Sequence, residues 1–444
     1  MDFTPHTEAD VAAMLESLGI EDPAALFAHL PEDLLVAGPL DLPAPLSEPE
    51  VMSHIDDLAS QNRSDLVCFA GGGVYDHYLP PVVRALTLRP EFVTAYTPYQ
   101  SEVAQGALQA LFEYQSMVAA ITGLPVANAS LYDGPTSGLE AVNIAVAATR
   151  RSTVWVSRGI NPATRHVIDT FAAARGLEVV EHPMVGGKTA WAADAEGEPA
   201  AVVFAQPNYL GVVEDYDRAI AVAHDAGALA VAEVDPMLLG VLRSPGDAGC
   251  DIAFAEGQPL GSPMSWGGPG LGVFATTRAL LRRIPGRLVG RTVDADGRVS
   301  YTLTLRTREQ DIRRERASSN ICTNQSLNAV AAAVHLAWLG PEGLAETGRQ
   351  AIQKAHYLAA RLAQIRGVTL AVDAPFGREF PLLLPADPHH VVGEMARRGF
   401  LAGIPLSDRF AEFPGGLLVA VTERRTRAEL DGYAAALEEV LADG

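Results

Sequence analysis

Lysine is almost absent from this chain. Of the 33 basic residues, only Lys188 and Lys354 are lysines, and arginine supplies the other 31. A guanidinium is too basic to act as a nucleophile, whereas a lysine amine can form a Schiff base with a carbonyl compound. Chemistry that needs a side-chain amine must therefore use one of these two positions. A coding bias toward arginine explains why lysine is scarce in general. It would not remove a lysine from a position where the chemistry needs an amine, because arginine cannot replace it there.

Cysteine, positive charge and long apolar runs are also scarce. Cys68, Cys250 and Cys322 lie far apart, which argues against a disulfide framework and a structural zinc site. The net charge of −21 argues against nucleic-acid and anionic-membrane partners, because both need a basic surface. The most apolar stretch, residues 329–339, is shorter than the roughly 20 residues that span a bilayer. The acidic N-terminal segment lacks signal-peptide features, so we expect a cytoplasmic protein.

Short apolar runs alternate with helical stretches through the central part of the chain. Runs of this length, bounded by Gly, Pro or Asp, are typical of a mainly parallel sheet that helices cover on both faces. The predicted strands are residues 153–157, 177–180, 201–205, 228–234, 251–255 and 271–275. The sequence therefore predicts an α/β fold.

Helix boundaries are marked by capping residues. We expect Ser101 to cap a helix that ends at Gly123, and Asn161 with Pro162 to begin a helix that ends at Gly176. A long helix is expected over residues 343–366.

Composition divides the chain into three expected regions. They are an N-terminal helical extension and connector (residues 1–65), a large α/β domain (66–325) and a smaller C-terminal α/β domain (326–444).

Residues 133–140, DGPTSGLE, precede an apolar helix. A Gly/Ser turn at a helix N-terminus can bind a phosphate through its backbone N–H groups and the helix dipole. The same residues can also form an ordinary helix start, and both interpretations stay open from the sequence.

Other motifs favour structural interpretations. Lys188 ends a segment that resembles a phosphate-binding loop, but His182 stands where that loop needs a glycine, and no helix follows. His389, His390 and Glu394 are expected on an exposed helix face, so no metal site is expected.

Two segments are dense in hydrogen-bonding side chains. Tyr96 and Tyr99 lie in YTPYQSEVAQG, before a predicted helix. Asn320 ends the polar run Ser318-Ser319-Asn320, after a segment of mixed charge that is typical of a solvated helix face. These three residues, Tyr96, Tyr99 and Asn320, are the candidate site residues.

Residues 231–235, VAEVD, resemble the strand that ends in the pyridinium-binding aspartate of fold type I pyridoxal-phosphate enzymes, the aspartate-aminotransferase type. In that fold class a large, mainly parallel-sheet domain is joined to a smaller C-terminal α/β domain. The resemblance places the cofactor-bearing lysine within residues 251–272, DIAFAEGQPLGSPMSWGGPGLG. That segment contains no lysine, and Pro259 stands near the expected position.

Longer blocks resemble one family, the P-protein of the glycine cleavage system, in the same order along the chain. They are YTPYQSEVAQG, GLPVANASLYDG, DIAFAEGQPLG, SWGGPGLG and TREQDIRRERASSNICTNQSLNA. The match is to the N-terminal half of that protein, which many bacteria make as a separate, lysine-free α subunit.

The resemblance implies the activity and the partners. In that family, pyridoxal phosphate serves glycine decarboxylation, and the aminomethyl group passes to the lipoyl arm of the H-protein. The cofactor is then expected on a β subunit within an α2β2 heterotetramer, with no cofactor-binding residue on this chain. Tyr96, Tyr99 and Asn320 are expected to contribute to a site at the αβ interface.

Two alternatives stay open. The chain could be a non-catalytic scaffold or regulatory pseudoenzyme of the fold type I family. A stand-alone lyase or transaminase that uses Lys188 is disfavoured, because Lys188 follows the wrong strand and precedes Asp235.

Overall fold

The computed structural model describes residues 5–36, 38–94, 97–191, 197–317, 319–321 and 324–443. The chain forms two compact units, Met1–Ser64 and Asp65–Gly444. In the first unit, α1 (Glu8–Leu18) and α2 (Glu48–Ser60) are exposed helices. The Thr7 hydroxyl accepts from the Asp10 N–H, and the Asp10 carboxylate accepts from the Thr7 N–H, which fixes the start of α1.

The helices of the second unit are short except where they cover a sheet. They are α3 (Pro81–Thr87), α4 (Pro90–Val93), α5 (Gln105–Thr122), α6 (Gly134–Thr149), α7 (Pro162–Arg175), α8 (Tyr216–Asp225), α9 (Pro245–Ala248), α10 (Gln310–Arg313), α11 (Ser326–Leu362), α12 (Pro388–Arg397) and α13 (Arg427–Asp443). Asn161 caps α7, and Gly176 ends it in the left-handed region at φ 66°, so the predicted helix is confirmed.

The strands form one large sheet, one smaller sheet and three two-stranded pairs within the described residues. They are β1 (Val67–Cys68), β2 (Val126–Ala127), β3 (Thr153–Ser157), β4 (Glu178–His182), β5 (Met184–Val185), β6 (Lys188–Thr189), β7 (Pro199–Gln206), β8 (Leu229–Val234), β9 (Ile252–Glu256), β10 (Gly272–Thr276), β11 (Val289–Val293), β12 (Val299–Leu303), β13 (Thr369–Leu370), β14 (Glu379–Leu383), β15 (Phe400–Leu401), β16 (Ile404–Pro405) and β17 (Gly416–Ala420).

The large sheet has the order β2-β10-β9-β8-β7-β3-β4. The pairs from β4 across to β9 are parallel, and β10 and β2 extend the sheet in antiparallel pairing. Strands β3 and β7 are buried along their full length, because α5 and α8 cover one face and α6 and α7 cover the other. The predicted mainly parallel sheet is confirmed.

The smaller sheet has the antiparallel order β13-β14-β17-β16. It packs with α12, α13 and the second half of α11 around its own core. Helix α11 is interrupted at Gly340, where φ is 62° and ψ is 179°. Its residues up to Leu344 pack in the core of the large sheet, whereas those from Ala355 onward pack in the core of the smaller sheet. The long helix predicted over residues 343–366 begins earlier, at Ser326, and ends at Leu362. The division of the chain into three regions stays a prediction.

The predicted cap at Ser101 is wrong. Helix α5 begins at Gln105, after a turn over residues 101–103, and Ala104 is its N-cap residue. The Gln105 side chain donates to the backbone carbonyls of Ser101 (2.6 Å) and Tyr301 (2.8 Å). These contacts tie the turn to β12 and delay the helix. The predicted end at Gly123 is confirmed, with φ 68°.

Candidate functional site

Asp235 lies directly after β8, at the carboxyl edge of the large sheet. This edge is where ligands bind in open α/β folds. A cavity of about 70 Å³ opens beside Asp235, and its lining includes Asn161, Glu233, Glu256, Arg378 and Glu379. The position expected for Asp235 is therefore confirmed.

The Asp235 carboxylate is paired with Arg378, which comes directly before β14. A guanidinium nitrogen of Arg378 lies 2.6 Å from the Asp235 carboxylate, and the Arg378 side chain is only 1% exposed. The pair is an ion contact without hydrogen-bond alignment. The Arg378 guanidinium also lies over the Tyr75 ring, 3.5 Å from its centroid. Arg378 thus places a planar cation, stacked on an aromatic ring, against the predicted pyridinium-binding carboxylate.

A chain of contacts extends from Arg378 toward the surface. Arg378 donates to Nε2 of His77, and His77 Nδ1 lies 2.6 Å from the Glu423 carboxylate. Burial and the Arg378 charge lower the pKa of His77, so its ring is neutral at neutral pH. Burial alone would raise the pKa of Glu423, but the hydrogen bonds from His77 and from the Tyr78 N–H lower it to about 2. A neutral imidazole that accepts from Arg378 and donates to Glu423 satisfies both contacts.

A second buried carboxylate, Glu379, follows Arg378. The Tyr75 hydroxyl donates to Glu379 Oε2 at 2.6 Å, and the Gly72 N–H donates to Oε1 at 2.7 Å. Burial raises the pKa of Glu379 despite these donors. The Cβ of any other residue at position 72 would lie 2.7 Å from the Ile404 side chain, and Gly72 has φ 68°. The glycine therefore lets the backbone approach this carboxylate.

The N-terminus of α6 is capped by carboxylates of this chain. Asp133 Oδ1 accepts from the Thr136 N–H at 2.8 Å, and Glu256 Oε2 accepts from the Gly134 N–H at 2.9 Å. The other Glu256 oxygen accepts from the N–H groups of Leu271 (3.0 Å) and Gln258 (2.9 Å). A Cβ on Gly134 would lie 2.7 Å from the Glu256 backbone nitrogen. Of the two open interpretations, the structure supports an ordinary helix start, because the donors are already used.

Residues 251–272, the segment expected to carry the lysine, contain Gln258, whose side-chain amide binds the backbone of Tyr75. Gln258 Oε1 accepts from the Tyr75 N–H at 3.0 Å, and Gln258 Nε2 donates to the Tyr75 carbonyl at 3.2 Å. Lys188 lies in β6 and lines a separate groove, whereas Lys354 lies in α11 and donates to the Glu423 carbonyl. Neither amine lines the cavity beside Asp235.

Pyridoxal phosphate, the cofactor implied by the resemblance, does not fit these residues. Arg378 occupies the place where the pyridinium ring would contact Asp235. Glu256 accepts from the Gly134 N–H at the start of α6, a donor that the phosphate would need. Bringing a phosphate to the Gly134 N–H would set two anionic groups against each other in a buried place. No reaction step is therefore assigned to a cofactor on this chain.

Tyr99 lies in a second polar cluster, away from Asp235. Its hydroxyl accepts from an Arg287 guanidinium nitrogen at 3.2 Å, and the guanidiniums of Arg287 and Arg306 lie 5.3 and 5.1 Å from its ring centroid. Arg287 is 2% exposed, and Tyr99 is 48% exposed. A buried cation thus holds the polar end of a half-exposed tyrosine.

This cluster, which we call the Tyr99 cluster, also includes Thr97, Glu309 and Asn324. Four of its buried polar atoms have no hydrogen-bond partner in the described part of the chain: Thr97 Oγ1, Arg287 Nε, Arg306 Nε and Glu309 Oε1. Burial raises the pKa of Glu309, although neighbouring arginines oppose the shift. Buried polar groups are nearly always paired, so the partners of these four atoms are expected outside the described residues.

Of the three predicted site residues, the structure shows only Tyr99 within a polar cluster. Tyr99 joins Arg287 and Arg306, as described above. Asn320 is exposed in the short described stretch 319–321 and is not part of the Tyr99 contacts described above. Tyr96 lies outside the described residues. Sequence reasoning missed Arg287, two residues before β11, and Arg378, directly before β14. Nothing in the sequence near either arginine marks it as a site residue.

Two negative findings apply to the described residues alone. No helix among them is long and apolar enough to cross a membrane. No group of three or more His, Cys, Asp or Glu side chains among them is arranged to hold a metal ion.

Solved structures identify the class of this fold. A NifS-like protein matches at TM-score 0.63 with 13% identity, covering 85% of this chain and 100% of its own. A sphingosine-1-phosphate lyase of Burkholderia pseudomallei matches at 0.64 with 15% identity, covering 95% and 94%. The chain has the fold of type I pyridoxal-phosphate-dependent proteins, as predicted.

Matches over nearly the whole chain, to a family model and to proteins of higher sequence identity, show the family. A model described as glycine cleavage system P-protein matches residues 1–437, and the chain belongs to that family. A crystal structure of inhibitor-bound glycine decarboxylase (P-protein) is similar at TM-score 0.91 with 46% identity, covering 99% of this chain and 100% of its own. Proteins of Moorella thermoacetica (45% identity, 100% of both chains) and Prosthecochloris aestuarii (47%, 98% of both) are each named "Probable glycine dehydrogenase (decarboxylating) subunit 1".

Proposed function

We propose that this chain is the α subunit of a heteromeric, cytoplasmic glycine decarboxylase of the glycine cleavage system. Together with a lysine-bearing β subunit in an α2β2 tetramer, it serves the decarboxylation of glycine. The aminomethyl group then passes to the lipoyl arm of the H-protein. The full-length similarity to proteins named as subunit 1 supports this assignment.

The observation that carries the proposal is the ion pair between Arg378 and Asp235. Because Arg378 and Glu256 occupy the positions that a cofactor would need, the pyridoxal phosphate of the complex belongs on the β subunit. The pyridinium ring supplies an electron sink for decarboxylation there. Loss of the lysine and closure of the Asp235 site both favour a subunit that supports catalysis without holding the cofactor.

Through the side chains of the Tyr99 cluster, this chain contributes to the site that it shares with the β subunit. Arg287 orients the Tyr99 hydroxyl, and the unpaired buried atoms around it favour completion by another chain. At the interface, Tyr99 with Tyr96 and Asn320 orients the substrate and excludes water. Fixed donors are effective in such a role because they need no reorganisation during the reaction.

Reconstitution tests this function. Glycine–CO2 exchange is measured for this chain, for a candidate β subunit and for their mixture, with wild type and Tyr99→Phe. We expect exchange only in the mixture, and a large loss with Tyr99→Phe at unchanged assembly. Tyr357→Phe is the matched control, because it also removes a phenolic hydroxyl, one that donates to Asp431 outside the Tyr99 cluster.

The same experiment decides between the proposal and a scaffold or regulatory pseudoenzyme. Exchange by the β subunit alone, at the rate of the mixture, would favour the scaffold. Full exchange by the Tyr99→Phe mixture would overturn the catalytic contribution of the Tyr99 cluster.

A further inference from the structure

The apolar side chains of the first unit, Met1–Ser64, are exposed to solvent throughout the part of the unit that the structure describes. None of these described residues is buried. Of the 33 large apolar side chains that are exposed among the described residues of the whole chain, 16 lie in this unit of 64 residues. Exposed apolar side chains are normally scattered singly over a protein surface, so such a concentration marks an interaction surface.

The two helices of this unit, α1 and α2, each carry an apolar stripe. In α1, Val11, Met14 and Leu18 are 36%, 43% and 60% exposed, and their spacing of three and four residues puts them on one face. In α2, Ile55 and Leu58 are 51% and 48% exposed and are likewise neighbours on one face. Helices of this length depend for their stability on packing of the apolar face, so both stripes require a partner surface.

The exposed apolar area of the unit is large enough for a stable interface. Its 16 large apolar side chains are between 36% and 71% exposed, and together they leave an apolar area on the order of 1,000 Å². One side of a stable protein–protein interface buries about 800 Å². The first unit therefore suffices as one side of such an interface.

The charge of the unit restricts what can cover it. Residues 1–64 contain 13 acidic side chains and one arginine, and residues 65–444 contain 41 acidic and 32 basic side chains. A second copy of this chain would therefore bring further negative charge to an acidic surface. A membrane surface is also disfavoured, because amphipathic helices that lie on membranes have a basic polar face. The surface that fits is an apolar groove bordered by Lys and Arg side chains.

We propose that the first unit is an arm that binds the β subunit, with its apolar stripes in a groove bordered by basic side chains of that subunit. This inference rests on the proposed function, because it takes the β subunit as the partner. The family match begins at residue 1, so the arm is part of what the family shares. Relatives that match over the full length are each named as subunit 1, and a surface common to such subunits fits another subunit of the same complex.

Sedimentation-velocity titration of the full chain with a candidate β subunit tests the arm. Met14→Glu and Ile55→Glu each place a charge within a stripe and should weaken association at least about tenfold, because an unpaired charge is costly in an apolar interface. Ala13→Glu and Ser53→Glu are the matched controls. They add the same charge to the same two helices, on the faces turned away from the stripes, and should not weaken association. Association of the wild type should weaken as the salt concentration rises, because salt screens the attraction between opposite charges.

The outcomes separate the arm from the proposed function. If the wild-type chain does not associate with the β subunit and their mixture shows no glycine–CO2 exchange, the proposed function fails. If the wild type associates and both stripe variants associate equally well, the arm alone is wrong. Urea unfolding of the isolated variants should match the wild type, and a lower free energy of unfolding would overturn the arm by showing that the stripes pack within the chain. A self-associated wild type that the stripe variants dissociate would make a second copy the occupant instead, and association that is independent of salt would contradict the basic border.

Discussion

The Arg378 guanidinium lies 2.6 Å from the Asp235 carboxylate, in the place where the resemblance to fold type I enzymes puts the pyridinium cation of the cofactor. Both cations are planar, and Arg378 is stacked on the Tyr75 ring in the same buried space. In the function proposed above, Arg378 takes the place of the cofactor cation. Glu256, at the N-terminus of α6, is the corresponding substitute for the phosphate anion.

Arg378→Met should destabilise the chain strongly, because it leaves the Asp235 charge buried and unpaired. Loss of one partner of a buried pair lowers the free energy of unfolding by about 3–5 kcal/mol. Urea unfolding measures this change. Asp235→Asn in the same background should restore much of the loss, and Arg89→Met, at an exposed ion pair with Glu91, should change little. A loss in Arg378→Met no greater than that in Arg89→Met would contradict the role of the pair.

A lysine introduced at the expected position should not restore binding of the cofactor. Pro259→Lys places an amine near the expected position, but Arg378 and Glu256 still occupy the anchoring positions. After incubation with pyridoxal phosphate, we expect no internal-aldimine absorbance band and no borohydride-stable adduct on this residue. A stoichiometric aldimine on the new lysine would show that the site is open after all.

The stability of the Glu423–His77 contact should depend on pH. Because the folded pKa of Glu423, about 2, lies below its usual 4.5, its contribution is present above pH 4.5 and is lost as the pH falls toward 2. The difference in unfolding free energy between wild type and Glu423→Gln should shrink by about 3 kcal/mol over this interval. Urea unfolding at several pH values measures it, with Glu198→Gln at an exposed position as control. A difference that stays constant with pH would contradict the coupling.

Arg287 should act as a positioning residue for Tyr99. Arg287→Met removes the donor at 3.2 Å and the stacked cation, so the phenol loses its fixed orientation. We expect kcat of glycine–CO2 exchange in the reconstituted complex to fall about tenfold with little change in KM. Arg287→Lys, which keeps the charge, should recover part of the rate. Equal loss in both variants, or a change in KM alone, would indicate a merely structural role.

Local signals in the sequence predicted much of the fold. The Asn161 cap and Gly176 define α7, and the apolar strands define a buried parallel sheet, because both patterns depend on neighbouring residues. Ser101 misled the prediction of α5. Its capping preference is outweighed by contacts of Gln105 with β12, far away in sequence.

The candidate site was only partly predictable for the same reason. Asp235 follows a recognisable strand, but its partner Arg378 comes from the beginning of a strand in the smaller sheet. Likewise, the choice between a phosphate cradle and a plain helix start at Gly134 depended on Glu256, which arrives from β9. Such tertiary pairings leave no periodicity in the sequence.

Borohydride reduction of the active, reconstituted complex, followed by mass mapping of the labelled lysines, tests the division of labour most directly. We expect pyridoxal phosphate to be fixed entirely on the β subunit, one per αβ pair, while Lys188 and Lys354 of this chain stay unlabelled. Stoichiometric label on either lysine would contradict the assignment of the cofactor to the partner.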